Sequence, residues 1–243
     1  MSRGPLIEVH SEIEPTDTPR IVIVSGPSGV GKGTIVSGLM DKITDIEPAR
    51  QLSRSWTTRP QRANESPGDY VFSTREAFEE KIAMGFFLEH AEFRGNYYGT
   101  PLPTLDQQLI VEIEVKGARH IHRLAEKAGT LSAHQFIYVL SPDALDLVTR
   151  LFGRPDRLDR VDKVARFATF LEQELPMAKE LGAHVVVNRR VEDAVNNIIA
   201  SMNGVFFCDP ELEEVVRNNE TYGPKFLEVL RDMYFRKDSN TSV

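Results

Sequence analysis

Residues 25–34 read SGPSGVGKGT, in which Gly26 and Gly31 bracket four residues and Lys32 follows directly. The chemistry of that spacing is anion binding. Glycines let successive backbone N–H groups turn inward, the first turn of a following helix adds partial positive charge, and the lysine reaches outer phosphates. Gly26, Pro27, Ser28, Gly29, Val30, Gly31, Lys32, Gly33 and Thr34 are therefore expected to cradle a nucleoside triphosphate. A hydroxyl residue usually follows the lysine and helps to hold Mg2+. Here position 33 is glycine and the nearest hydroxyl is Thr34, turned about 100° further round a helix. The metal is thus expected to lean on phosphates, water and acidic residues elsewhere, with Thr34 the nearest hydroxyl and no firm direct ligand.

Phosphate loops of this kind serve GTPase switches, ATPase motors and kinases of small acceptors. The switch needs a late N-K-x-D; VVVNRR at 185–190 lacks it, and EVKG at 114–117 has Glu for the Asp of D-x-x-G. Motors usually belong to larger chains. A kinase needs a second anion site, and LSRSWTTRPQR and GNYYGT hold the residue types for one. Arg59 and Arg62, three apart in a polar turn, carry forked guanidiniums that can grip a phosphate bidentately. Tyr70 and Tyr98 can donate to the same oxygens. Glu89 sits in the aromatic stretch FFLEHAEF, where a carboxylate is costly unless paired. A purine edge with two adjacent N–H donors, as guanine has, satisfies it.

The elements that must position these groups follow from hydrophobic period. IVIVS (21–25) is a continuous β-branched run, as in a strand buried on both faces, and TIVSGLMDKI has helical spacing. LSRSWTT (52–58) and GDYVFST (68–74) read as strands around a Pro/Gly turn, and TREAFEEKIAMG as a capped helix ending at Gly85. FFLEHAEFRGNYYGTP reads as a strand pair over a pocket. LIVEIEV (109–115), QFIYVL (135–140) and AHVVVN (183–188) are further buried strands, with helices from Gly117 to about Lys127 and over 143–152, 160–181 and 191–202. Strands alternating with helices predict an α/β fold with a parallel sheet covered on both faces.

The chain is thereby divided into an N-terminal arm (1–19), a domain at 20–203 and a helical C-terminal extension (204–243). The domain comprises a core (20–51 and 102–203), a β-rich insertion (about 52–101) and a helical lid (about 150–166), the last two expected to close over substrates. In the extension, Asp209–Pro210 reads as a helix start, and Phe226, Val229, Leu230 and Met233 as one apolar face packed on the core.

Across 243 residues the formal net charge is −7, which argues against a general nucleic-acid or anionic-membrane binder. The single cysteine, Cys208, excludes an intrachain disulfide. No apolar run approaches a membrane span and the N-terminus lacks a signal-sequence pattern, so a cytoplasmic location is expected. Monomer and homodimer both stay open.

Taken in order, SGPSGVGKGT, SRSWTTRPQR, GDYVF, FLEHAEFRGNYYGT and VVVN resemble guanylate kinases, over about residues 20–202. The resemblance implies a P-loop kinase that moves phosphate from ATP, with Mg2+, to GMP and dGMP. It implies that Arg59, Arg62, Tyr70 and Tyr98 hold the acceptor phosphate, and that Ser55, Glu89, Thr100 and Glu114 face the guanine. Glu112 then stands near the magnesium-bound phosphates and Asn188 near the adenine. Arg150, Arg154 and Arg166 act beside Lys32 and Arg59 as the catalytic cations. The chain departs from the family pattern at Glu114 (an aspartate), Lys116 (a glutamine), a short segment from Thr100 to Glu112, and everything after Gly204. The contrasting expectations are a guanylate-kinase-like interaction module that has lost turnover, and a kinase of another small phosphorylated acceptor.

Overall fold

The structure, a computed structural model, describes residues 8–10, 20–44, 50–61, 68, 70–93, 95–103, 108–153, 159–207 and 211–235. Its frame is a five-stranded parallel sheet in the order β10-β9-β2-β8-β3. The strands are β2 (Ile21–Ser25), β3 (Gln51–Leu52), β8 (Leu109–Glu112), β9 (His134–Leu140) and β10 (His184–Val187). β2 is buried at every position because it lies mid-sheet between β8 and β9, which explains its uninterrupted apolar run. Helices α1 (Lys32–Ile43), α3 (Val115–Ala128), α4 (Ala144–Gly153), α5 (Arg160–Thr169), α6 (Leu175–Glu180) and α7 (Val191–Met202) accompany it.

The insertion forms its own four-stranded sheet, ordered β5-β4-β7-β6, from β4 (Trp56–Thr57), β5 (Val71–Phe72), β6 (Phe87–Phe93) and β7 (Asn96–Pro101). Helix α2 (Arg75–Ala83) covers it and starts where Thr74 Oγ1 accepts from Ala77 N at 3.2 Å. The lobe's small core is aromatic: Phe78 stacks on Phe87 at 4.4 Å and on Tyr97 at 5.2 Å. Gly99 lies beneath them, and a Cβ there would stand 2.8 Å from both Phe78 and Phe87.

Four expectations need correction. The stretch at 52–58 is two short strands in different sheets: Leu52 belongs to the main sheet and Trp56–Thr57 to the insertion. The run LIVEIEV leaves the sheet at Glu112; Glu114 takes an extended conformation as the N-cap of α3, and Val115 is already helical. Apolar alternation continues through the turn because Ile113 and Val115 stay buried, so period alone misplaces the strand end. Glu8–His10 (β1), read as part of an arm, pairs antiparallel with β11 (Val205–Phe207).

The fourth correction concerns the last helix, α8 (Leu212–Phe235). It does pack on the main core, the expected Phe226 and Leu230 joined there by Val215 and Leu227, whereas Val229 is 55% exposed. Gly223 sets the approach: a Cβ there would lie 2.5 Å from Leu171 Cδ2, so the buried face runs through positions 215, 219, 223, 227 and 230. The Asp209–Pro210 start falls outside the described residues.

Candidate active site

The loop between β2 and α1 is held in a shape only glycine accepts cheaply. Gly26, Gly29 and Gly31 have φ of 149°, 92° and 98°. Gly31 is also crowded, since a Cβ there would be 2.9 Å from Asn188 Nδ2. Lys32 Nζ donates to Gly26 O at 2.6 Å and Pro27 O at 3.1 Å, so the ammonium lies inside the curve of the loop.

Three neighbouring elements brace this loop. Asn188, 2% exposed at the end of β10, donates from Nδ2 to Val30 O at 2.7 Å. Arg150 on α4 reaches Val30 O at 3.3 Å and Asn188 O at 3.0 Å, and pairs through Nε with Asp146 at 2.8 Å. Arg166 on α5 donates to Ser28 Oγ at 2.9 Å. Two of the expected catalytic cations, Arg150 and Arg166, therefore converge on the loop that carries Lys32. Arg154 lies outside the described residues. Asp146 was not singled out from sequence. It is held by Ser141 Oγ in turn, and the signal available was only its place one helical turn before Arg150.

Gly33 is open at the start of α1, and the nearest group to a Cβ built there is Glu112 Oε2 at 3.8 Å. The position that usually carries a metal-binding hydroxyl thus faces a carboxylate from β8. Thr34, the alternative donor, is exposed on the same turn.

The second half of the site is built by the inserted lobe. Arg59 is 7% exposed, with its guanidinium 5.0 Å from the Tyr70 ring centroid and 5.7 Å from that of Phe72. It donates to Pro60 O at 2.9 Å. Tyr98 lies opposite Thr57 across the β4–β7 pair, and Ser55 directly precedes β4. Arg62 lies outside the described residues.

Glu89 and Thr100 face each other across the β6–β7 pair, which puts the Thr100 hydroxyl on the side of the Glu89 carboxylate. A Cβ on Gly117, in the first turn of α3, would be 2.9 Å from Glu89 Oε2, so glycine there leaves room for the carboxylate. Glu114 caps the same helix. Withdrawal from water raises the Glu89 pKa, the nearby Glu114 charge raises it further, and the Thr100 hydroxyl opposes both. The two carboxylates together offer acceptors suited to a group rich in N–H donors.

Glu174 was missed by sequence reasoning. It ends a π-helical turn, Phe170–Glu174, that joins α5 to α6 within the expected 160–181 helix. The extra residue in that turn re-aims the side chain toward the sheet. Its Oε2 and the Tyr138 hydroxyl are buried and lack hydrogen-bond partners among the described residues. Desolvation lifts its pKa from 4.5 to about 7, Lys32, Lys116 and Arg166 pull it down, and Glu114 pushes it up. No local pattern marks this residue, because its surroundings come from α1, α3, α5 and β9.

A pKa raised above the unfolded value gives stability that is present at low pH and lost as pH rises through the folded pKa. Replacing Glu174 by Gln removes that titration. Relative to the parent, Glu174→Gln should gain up to about 3 kcal/mol as pH climbs from 4.5 to about 7, then level off. Thermal melts at several pH values measure this; a difference that does not vary with pH would show that the carboxyl is not held in its neutral form.

Comparison with known proteins agrees with this arrangement. The family model described as "Guanylate kinase" matches residues 18–204. The chain is 36% identical over 216 residues to guanylate kinase of Streptococcus pneumoniae (strain ATCC BAA-255 / R6), covering 86% of this chain and 97% of that one. It is 38% identical over 192 residues to guanylate kinase of Nostoc sp. (strain PCC 7120), covering 76% and 90%. The crystal structure of guanylate kinase from Anaplasma phagocytophilum superposes with a TM-score of 0.52 at 22% identity, over 88% of this chain and 94% of that one, a likeness of fold. With its phosphate loop, acidic pair and inserted sheet in this sequence order, the chain belongs to the guanylate kinase family.

Proposed function

We propose that this chain transfers the γ-phosphate of ATP to GMP, and also to dGMP, releasing ADP with GDP or dGDP. The observation that carries the reading is the pairing of a lysine-centred phosphate loop with a separate lobe whose Glu89, Thr100 and Glu114 suit guanine N–H donors. In this reading the triphosphate lies on the loop amides and the N-terminus of α1, with Lys32 on its outer phosphates. Arg150 and Arg166, already at the loop, spread over the transferring group. Arg59 and Arg62 hold the acceptor phosphate, with Tyr70 and Tyr98 donating beside them, and Ser55 completes the base contacts. An acceptor phosphate oxygen forms the new bond to Pγ as the bond from Pγ to the ADP oxygen breaks, so positioning and charge neutralisation matter more than a strong base.

Mg2+ suits the donors present. Glu112 is a hard oxygen donor beside Gly33, and Thr34 is next along the same turn. When bound, the ion neutralises charge on the phosphates; Glu112 and Thr34 would hold it or its waters. Asn188 supports the loop under the nucleotide and flanks the adenine side.

An ADP-release assay offering GMP, dGMP, AMP, CMP and UMP in turn, with ATP and Mg2+, tests the reading. Turnover with GMP and dGMP alone is expected. Turnover preferring another monophosphate would overturn the acceptor assignment. GMP binding without any turnover would identify an interaction module instead.

A further inference from the structure

Helix α3 carries a second, unrelated surface. Arg119, His120, Arg123 and Lys127 line a depression of ≈ 320 Å³ together with Lys116 and Leu124. The spacing puts Lys116, Arg119, Arg123 and Lys127 on a single stripe with His120 between them, about 16 Å long at 1.5 Å per residue. The opposite face of the helix, Val115, Ala118, Ile121 and Ala125, is buried against the sheet. Lys116, at the end nearest the active site, shares the field of Glu174. Arg119, Arg123 and Lys127 make no ion pair or hydrogen bond among the described residues.

That concentration stands out because the chain as a whole is acidic, with a formal net charge of −7. Several cations elsewhere on the described surface are paired: Arg75 with Glu79 and Glu92, Lys179 with Glu220, Arg189 with Glu211, and Arg231 with Glu172. Like charges one helical turn apart repel, and an oppositely charged partner relieves that repulsion.

We propose that the exposed face of α3 is a docking surface for a short acidic segment of another protein, its carboxylates spaced about one helical turn apart around an apolar residue. Three features select this occupant over a nucleic acid. The stripe is only about three helical turns long, the length of a short peptide segment. It offers no Phe, Tyr or Trp on which bases can stack. Leu124, 38% exposed between the cations, gives an apolar contact that an amphipathic acidic peptide can use and a phosphate backbone cannot. The surface is independent of the phosphoryl-transfer reading, since Arg119, Arg123 and Lys127 take no part in it.

Fluorescence anisotropy with a labelled peptide of about 12 residues, bearing glutamates four apart and a central leucine, tests the proposal. Saturable binding is expected near 50 mM salt, weakening roughly tenfold or more by about 300 mM as screening sets in. The double variant Arg119→Glu, Arg123→Glu should lose at least about tenfold in affinity while ADP release stays within about twofold, a check that it folds. Arg119→Gln with Arg123→Gln serves if charge reversal impairs folding. No saturable binding, or binding equal in parent and variants, would overturn the proposal. Tighter binding of a labelled single-stranded RNA of about 12 nucleotides than of the peptide would overturn it in favour of a nucleic-acid surface.

Discussion

Lys32→Ala should lower turnover by about 10³-fold while leaving GMP affinity within about twofold. The reason lies in where the ammonium already is. Its bonds to Gly26 O and Pro27 O fix it at the centre of the loop, where a triphosphate replaces neutral carbonyl acceptors by charged ones. Charge-assisted bonds are the stronger kind, and those that tighten as charge shifts along the phosphate chain accelerate the reaction. Arg150 and Arg166 approach the same loop from α4 and α5, but Arg150 is tied to Asp146, Val30 O and Asn188 O, so neither can substitute from its present position. The acceptor residues belong to another sheet and keep their own supports, such as Arg59 against Tyr70. ADP release and calorimetric GMP binding, measured on the same preparation, separate the two effects. Retained turnover would refute the phosphate-loop assignment; equal loss of GMP binding would mean that the substitution had disturbed more than the loop.

How much of this was readable in the sequence depended on how local each feature is. The phosphate loop was legible because strand, glycines and lysine are consecutive and the positive φ at Gly26, Gly29 and Gly31 demands that residue type. The β6–β7 pair was legible from aromatic alternation, whereas the register that sets Glu89 opposite Thr100 was not. What failed was non-local. Glu114 continues the strand's period yet serves as a helix cap, because the chain must leave the sheet where β8 meets the site. Val229 fits an apolar helical pattern, but the close approach at Gly223 rotates the buried face away from it. Glu174 depends on a π-helical turn that no apolar spacing encodes, and on partners from four elements. Asn219, fully buried on α8, donates to Ser141 O and so links the C-terminal helix to the residue that holds Asp146. The extension thereby reaches the support of Arg150, a connection visible only once the helix is packed.

Glu89→Gln should raise the KM for GMP by about 10- to 100-fold and leave the KM for ATP nearly unchanged. A carboxylate offers two acceptors side by side, which matches two adjacent N–H donors on one base edge. The amide keeps the size and one acceptor but replaces the other by an NH2 donor, so one N–H of the base meets another N–H and both lose a partner. Thr100, facing Glu89 across the strand pair, keeps its hydroxyl on the same side of the site. The pH response gives an independent check. Burial first, and Glu114 second, raise the Glu89 pKa, so the parent loses the ionised acceptor at a higher pH than an ordinary glutamate does. The KM for GMP should therefore climb as pH is lowered through the weakly acidic range, and Glu89→Gln should flatten that climb. Equal weakening of GMP and ATP would sink the base-reading role, since Glu89 would then act through the fold of the lobe. A pH response unchanged by the substitution would instead show that Glu89 is not the group whose ionisation governs GMP binding.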